Sequence, residues 1–242
     1  MKIRAFAHRN TLEIIRDPIT MGFGAGFPLI LLLLLTLIQK NVPVEVFVLD
    51  QLVPGIAVFG YSFFALFSAL LISRDRSSAL MMRLMSSPMR PAQFLAGYAL
   101  PLIPMAVVQT AICFGAAFLL GLQPTIRVLT TMIVLLPAAV MYIAIGFICG
   151  CLLDDRQVGG VCGAALTNVS AWLSGTWFDT KLVGGAFDTI AHILPFANAV
   201  DAARAALAGD TAAMLAPLAI VLFYAAALSA LAIFVFMRKV RR

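Results

Sequence analysis

Residues 52–73 read LVPGIAVFGYSFFALFSALLIS, 22 positions without a charge, and Arg74, Asp75 and Arg76 follow at once. At 1.5 Å per residue a helix of this length crosses a hydrocarbon core of roughly 30 Å. The run is continuous rather than alternating, so it fits a helix and not a barrel strand. Uncharged apolar runs of the same kind occupy residues 18–38, 94–121, 128–153, 157–178 and 211–237. The expectation is an all-α integral membrane protein with six transmembrane helices.

The composition agrees. Of 242 residues, 62% are hydrophobic and 12% charged, against roughly 45–50% and 25% in a soluble domain. With a mean hydropathy of +1.03, a disordered regulator, a coiled coil and a nucleic-acid-binding module are excluded. Six spans use nearly the whole chain as one domain, 1–242, and the longest stretch between them, 179–210, has only 32 residues. No Gly-rich loop precedes a Lys-Ser or Lys-Thr pair, so nothing here is expected to hydrolyse ATP. His8 and His192 fall on opposite expected sides, which removes a His-based metal site or nucleophile pair. Cys113, Cys149, Cys151 and Cys162 all lie in apolar runs and read as packing residues.

Six crossings place both termini on one side. That side then receives thirteen of the 17 Lys and Arg, leaving Lys40, Arg127, Lys181 and Arg204 on the other. By the positive-inside rule the termini are cytoplasmic. The first apolar run is long and lacks a small-residue cleavage pattern, so it reads as an uncleaved span. Residues 182–207 are partly apolar but carry Asp188, His192, Asp201 and Arg204. A crossing there would carry the Arg238–Arg242 cluster outside. Residues 179–210 are therefore expected as an external re-entrant or interfacial hairpin broken at Pro195.

Residues 2–17 form an expected interfacial amphipathic helix with Ile3, Phe6, Ala7, Thr11 and Ile14 near one face. It is either a membrane-surface anchor or a contact for a cytoplasmic partner. The loop Arg74–Phe94 is longer than a helical hairpin needs. Ser77 or Ser78 can cap a short helix whose Leu80, Met81, Leu84 and Met85 share a face, ended by Pro88. That face suits either a partner's groove or the headgroups. The polar residues inside spans, among them Tyr61, Gln109, Tyr142, Thr167 and Asn168, include no charge, which argues against proton- or sodium-driven transport. Thr167, Asn168, Ser170 and Trp172 read as a translocation path, a subunit contact, or hydrogen-bonded glue between helices. Gly22, Gly24 and Gly26, like the pairs Gly146/Gly150 and Gly159/Gly163, read as close-packing sites.

The order of these features resembles the type-2 ATP-binding-cassette permeases: Pro54-Gly55 entering a span, Arg74-Asp75-Arg76, Ser87-Pro88 and Gly97, Ser174-Gly175, then Leu194-Pro195 through Arg204. Asp75 stands where that family usually has Glu. The resemblance implies the membrane half of an exporter in the bacterial cytoplasmic membrane, with two permease subunits, alike or different, and two copies of a separate ATPase. ATP and Mg would be held by that partner and no cofactor by this chain; nucleic acid is not an expected partner. Residues 2–17 would be the connecting helix and 74–91 the coupling-helix loop, with Arg74, Asp75, Arg76, Leu80, Met81, Leu84, Met85 and Pro88 meeting the ATPase. Tyr61, Phe64, Thr167, Asn168 and Trp172 are candidates for the path or the dimer contact, and an amphipathic cargo is expected. The rival readings are a non-transporting membrane scaffold and a channel.

Overall fold

Pro28 shapes the first long helix. It has no N–H for the Gly24 carbonyl and its ring would press on it. The backbone widens just before it into a π-turn at Gly22–Gly26, where the Phe27 N–H reaches the Gly22 carbonyl. The helix then continues. In the computed structural model, which describes residues 2–43, 47–76 and 91–239, every regular element among the described residues is helical. In chain order they are α1 (Lys2–Arg16), α2 (Pro18–Asn41), α3 (Leu49–Arg76), α4 (Pro91–Leu119), α5 (Arg127–Leu152), α6 (residues 155–173), α7 (Thr180–Val183), α8 (Gly185–Ile193), α9 (Pro195–Ala208) and α10 (Thr211–Lys239).

Five of these, α2, α3, α4, α5 and α10, are long and apolar enough to cross a membrane. The span expected at 157–178 differs from its reading. Its helix starts at Asp155 and ends at Leu173, because the chain turns through Gly175 at φ +67°, a left-handed conformation that suits glycine. With Arg156, Gln157 and Asn168 it is also more polar than the others. Even so, α6 follows α3 from end to end. At one end the Ser73 hydroxyl donates to Asp155. At the other the Thr176 hydroxyl donates to the Gly55 carbonyl at 3.2 Å, and the Trp177 and Phe59 rings lie 5.4 Å apart. Gly55 to Ser73 is about 27 Å of helix at 1.5 Å per residue. The segment expected at 94–121 is likewise helical only to Leu119.

α3 forms the centre, packed by α4, α5, α6 and α9. Its approach to α5 depends on two of the expected glycines: a Cβ on Gly146 would overlap Ser68 Oγ and the Ala65 carbonyl, and one on Gly150 would crowd the Ala69 carbonyl. The Gly159/Gly163 pair does not do this. Gly159 faces open space and Gly163 meets only Leu66, at ordinary contact distance. Of the first three glycines only Gly24 is packed, against Met105 and Phe67.

α8 and α9 form a hairpin. Leu194 is extended, Pro195 opens α9 where a missing N–H costs nothing, and Asn198 Nδ2 donates to the His192 and Leu194 carbonyls at 2.8 Å each, closing the break. α9 lies on α5: Phe196 sits 5.7 Å from Tyr142, Ala202 and Ala206 pack on Val134, and Arg127 donates to the Ala208 carbonyl at 2.8 Å. The hairpin tip therefore stops beside Tyr142, short of the α5 end at Leu152.

Candidate functional site

The last turn of α3 holds three consecutive charged residues, and each is fastened to a different part of the chain. Asp75, 4% exposed, receives the Arg9 guanidinium of α1 in a two-pronged contact, Nη1 to Oδ2 at 2.6 Å and Nη2 to Oδ1 at 3.0 Å. The Tyr98 hydroxyl of α4 donates to the same carboxylate at 2.8 Å. Arg76 donates to the carbonyls of Cys151 and Leu153, the latter at 2.9 Å, and pairs with Asp154 at 3.2 Å. Arg74 lies 3.8 Å from Asp155. One turn of helix thus joins α1, α4 and the α5–α6 turn.

α1 is built for this contact. Phe6, Asn10 and Ile14, four residues apart, form its buried stripe. Phe6 packs edge-on against Tyr98 at 4.9 Å and over Gly97, where any Cβ would collide with its ring. Asn10 Nδ2 donates to the Gly97 carbonyl at 3.1 Å. That carbonyl is available because its usual partner four residues on is Pro101, which has no N–H. The expected apolar face of residues 2–17 therefore rests on this chain's own α4, with Asn10 on it. Glu13 sits 2.8 Å from Arg9. Burial pulls the Arg9 pKa down, but the hydrogen bond and charge of Asp75, with Glu13, hold it above its ordinary value. Asp17 caps the start of α2. Burial pushes its carboxyl up, but bonds from Thr20 and Ile19, and the charge of Arg74, keep it below the usual range.

A sequence model of the family described as ABC-2 type transporter matches residues 1–208. The chain belongs to the ABC-2 type transporter family. No curated protein matches it, and no solved structure does. It is a multi-pass permease subunit of an ABC transporter, helical in every regular element among the described residues, and a transport component not itself a catalyst.

The other residues of interest in this ABC-2 chain separate into inside and outside. Tyr61 and Phe64 turn into the bundle, 1% and 0% exposed within this chain, and the Tyr61 hydroxyl is bonded to Thr110 at 2.6 Å. Thr167 is also inward, its hydroxyl on the Cys162 carbonyl, and Ser170 meets the Tyr142 hydroxyl at 3.0 Å. Asn168 and Trp172, one turn apart, face outward; Trp172 is 56% exposed, and among the described residues Asn168 Nδ2 bonds only its own helix, at the Ala164 carbonyl. Leu80, Met81, Leu84, Met85 and Pro88, with the capping Ser77 and Ser78, lie outside the described residues. Asn10 and Tyr98, the groups that complete the Asp75 cluster, carried no sequence signal beyond the Gly97 to Pro101 spacing.

Proposed function

We propose that this chain is the permease of an exporter in which a separate ATPase, in two copies, drives a pair of permease subunits to move an amphipathic molecule out across the bacterial cytoplasmic membrane. The observation that carries the reading is the Arg9–Asp75–Tyr98 cluster. It ties the helix α1 to Asp75, two residues before the 77–90 segment, so a push delivered there reaches α1, α3 and α4 together. Two-pronged guanidinium–carboxylate contacts fix orientation as well as distance, which suits transmission of a rigid-body movement.

Six crossings fit this reading, since α6 follows α3 along its length, and the positive-inside rule makes the Arg74–Arg76 end and both termini cytoplasmic. The hairpin α8–α9 is then external. The outward Asn168 and Trp172 fit a hydrated path or the second permease, because an amide facing hydrocarbon is costly. The Trp172 ring suits an amphipathic cargo.

The test is co-expression with the partner ATPase, purification of the complex, and ATPase and vesicle-transport assays. Leu84→Asp is expected to release the ATPase or abolish transport, and Asp75→Asn to retain assembly while weakening the coupling of hydrolysis to transport. Wild-type assembly and transport in Leu84→Asp would return the segment to a headgroup-lying helix and favour the scaffold reading.

A further inference from the structure

At the end of the bundle opposite the Arg74–Arg76 triplet, a cavity of about 560 Å³ opens between the start of α3, the α4–α5 turn and the end of α9. That volume is in the range of small-molecule sites. Two guanidinium groups line it, from Arg127 and Arg204. Arg127 is the first residue of α5, where the helix dipole disfavours a cation. It is nevertheless held in place. Its Nη1 donates to the Ala208 carbonyl at 2.8 Å, and its guanidinium lies over Gly209, at φ +81°, where a Cβ would come within 2.8 Å of Cζ. Arg204 is fixed by Nε to the Gln51 carbonyl at 3.0 Å and Nη2 to the Gly175 carbonyl at 2.9 Å.

An arginine offers five N–H donors and always carries its charge. Carbonyls orient these two side chains without neutralising them. Among the described residues neither makes a salt bridge, and the Nη1 of Arg204 and the Nη2 of Arg127 make no hydrogen bond. Asp50 lines the same cavity, exposed to it. Asp179 and Asp201 act on Arg204 from a neighbouring cavity of about 290 Å³. Burial pulls the Arg204 pKa down and those two carboxylates only partly offset it. Gln123 and Thr125 add uncharged polar groups to the wall, and Leu122 and Leu207 an apolar one.

We propose that this cavity binds a phosphoanion, with the two guanidinium forks on its oxygens and Leu122 and Leu207 beside whatever apolar group adjoins it. Planar forks held open by backbone carbonyls match phosphate oxygens better than a single point charge would. The phosphoanion is either free in solution or the headgroup of a phospholipid.

The full chain, purified in dodecyl maltoside so that no phosphate competes, is titrated calorimetrically with inorganic phosphate and with dihexanoyl phosphatidylglycerol. Saturable binding that weakens at least tenfold in Arg127→Gln supports the site. Binding of both ligands identifies a general phosphoanion site, and binding of the lipid alone a headgroup site. Arg204→Gln is expected to weaken binding similarly; should it fail to fold, Arg127→Gln decides alone, since it loses one bond at a helix end. Absence of saturation with both ligands overturns the proposal. So does unchanged affinity in an Arg127→Gln protein that elutes and melts like the wild type.

Discussion

At the Ser73–Arg76 end of α3 the cations meet carboxylates: Arg9 on Asp75, Arg76 on Asp154, Arg74 near Asp155. At the Leu49–Gly55 end the cation meets backbone carbonyls, Arg204 on Gln51 and Gly175, with Arg127 on Ala208 nearby. The first arrangement is closed, because each charge cancels another and removing one strands its partner. The second is more open, because carbonyls position the guanidiniums, Asp179 and Asp201 offset the burial of Arg204 only in part, and neither arginine makes a salt bridge among the described residues. Between the two, α3 is held by uncharged contacts such as Tyr61 to Thr110.

The sharpest way to break this contrast is Asp75→Ala. It leaves Arg9 and the Tyr98 hydroxyl facing a site that is 4% exposed in the native chain. Removing one partner of a buried pair costs about 3–5 kcal/mol, and the half-exposed Arg9 side chain lowers this to about 2–3 kcal/mol. Melting of the purified protein should fall by several degrees, with a smaller drop in Asp75→Asn, which keeps an acceptor for Tyr98. Equal stability of wild type and Asp75→Ala would show that the closed end is closed only in geometry. An intermediate effect is expected at the middle of α3. Tyr61→Phe loses one neutral bond while Thr110 keeps its own to the Ala106 carbonyl, so a cost of about 0.6 kcal/mol should appear in the same melting assay. A cost as large as that of Asp75→Ala would erase the distinction between charged end and uncharged middle.

The smallest effect concerns the hairpin. His192 lies between Asp188, 3.2 Å from Nδ1, and Asp201, 3.3 Å from Nε2. Its bond to the Asp188 backbone carbonyl raises its pKa, burial works against this, and the two carboxylate charges add to the rise. Burial raises the Asp201 pKa. Both shifts have the same sign. Each group stabilises the fold fully below its unfolded pKa, about 6.5 for His and 3.9 for Asp, and loses that contribution as pH climbs through the folded value. The protection factors of the α8 amides, which divide out the base-catalysed intrinsic rate of exchange, should therefore be larger at pH 6 than at pH 8, and His192→Gln should flatten the difference. Smaller protection factors at pH 6 would reverse the assignment.

The long helices were legible because a bilayer allows few alternatives to an apolar helix, and the break at Pro195 because proline announces itself. The extent of α6 was not: nothing in an apolar run marks that the chain turns through Gly175 at φ +67°. The partners of the charged triplet were hidden for another reason. Arg9 and Asp75 are 66 positions apart, and Arg76 reaches residues 75 to 78 positions away. Asn10 reads as a polar interruption until one notices that Pro101 leaves the Gly97 carbonyl without its helical partner. Arg127 entered the reading only as a charge counted towards orientation, and Arg204 as a charge against a crossing and as the end of the Leu194-Pro195 stretch, since sequence records a cation and not the carbonyls that aim it.

The seclusion of α3 has a bearing on bilayer thickness. Of its apolar window 89% is buried, against 22% for α2 and 17% for α10. A thicker or thinner bilayer strains the helices whose sides it wets, by fractions of a kcal/mol per Å. Those are α2 and α10, which can tilt to relieve the mismatch. α3 is shielded from it, so the distance between the charged triplet and the far cavity stays nearly constant while the lipid around the chain changes.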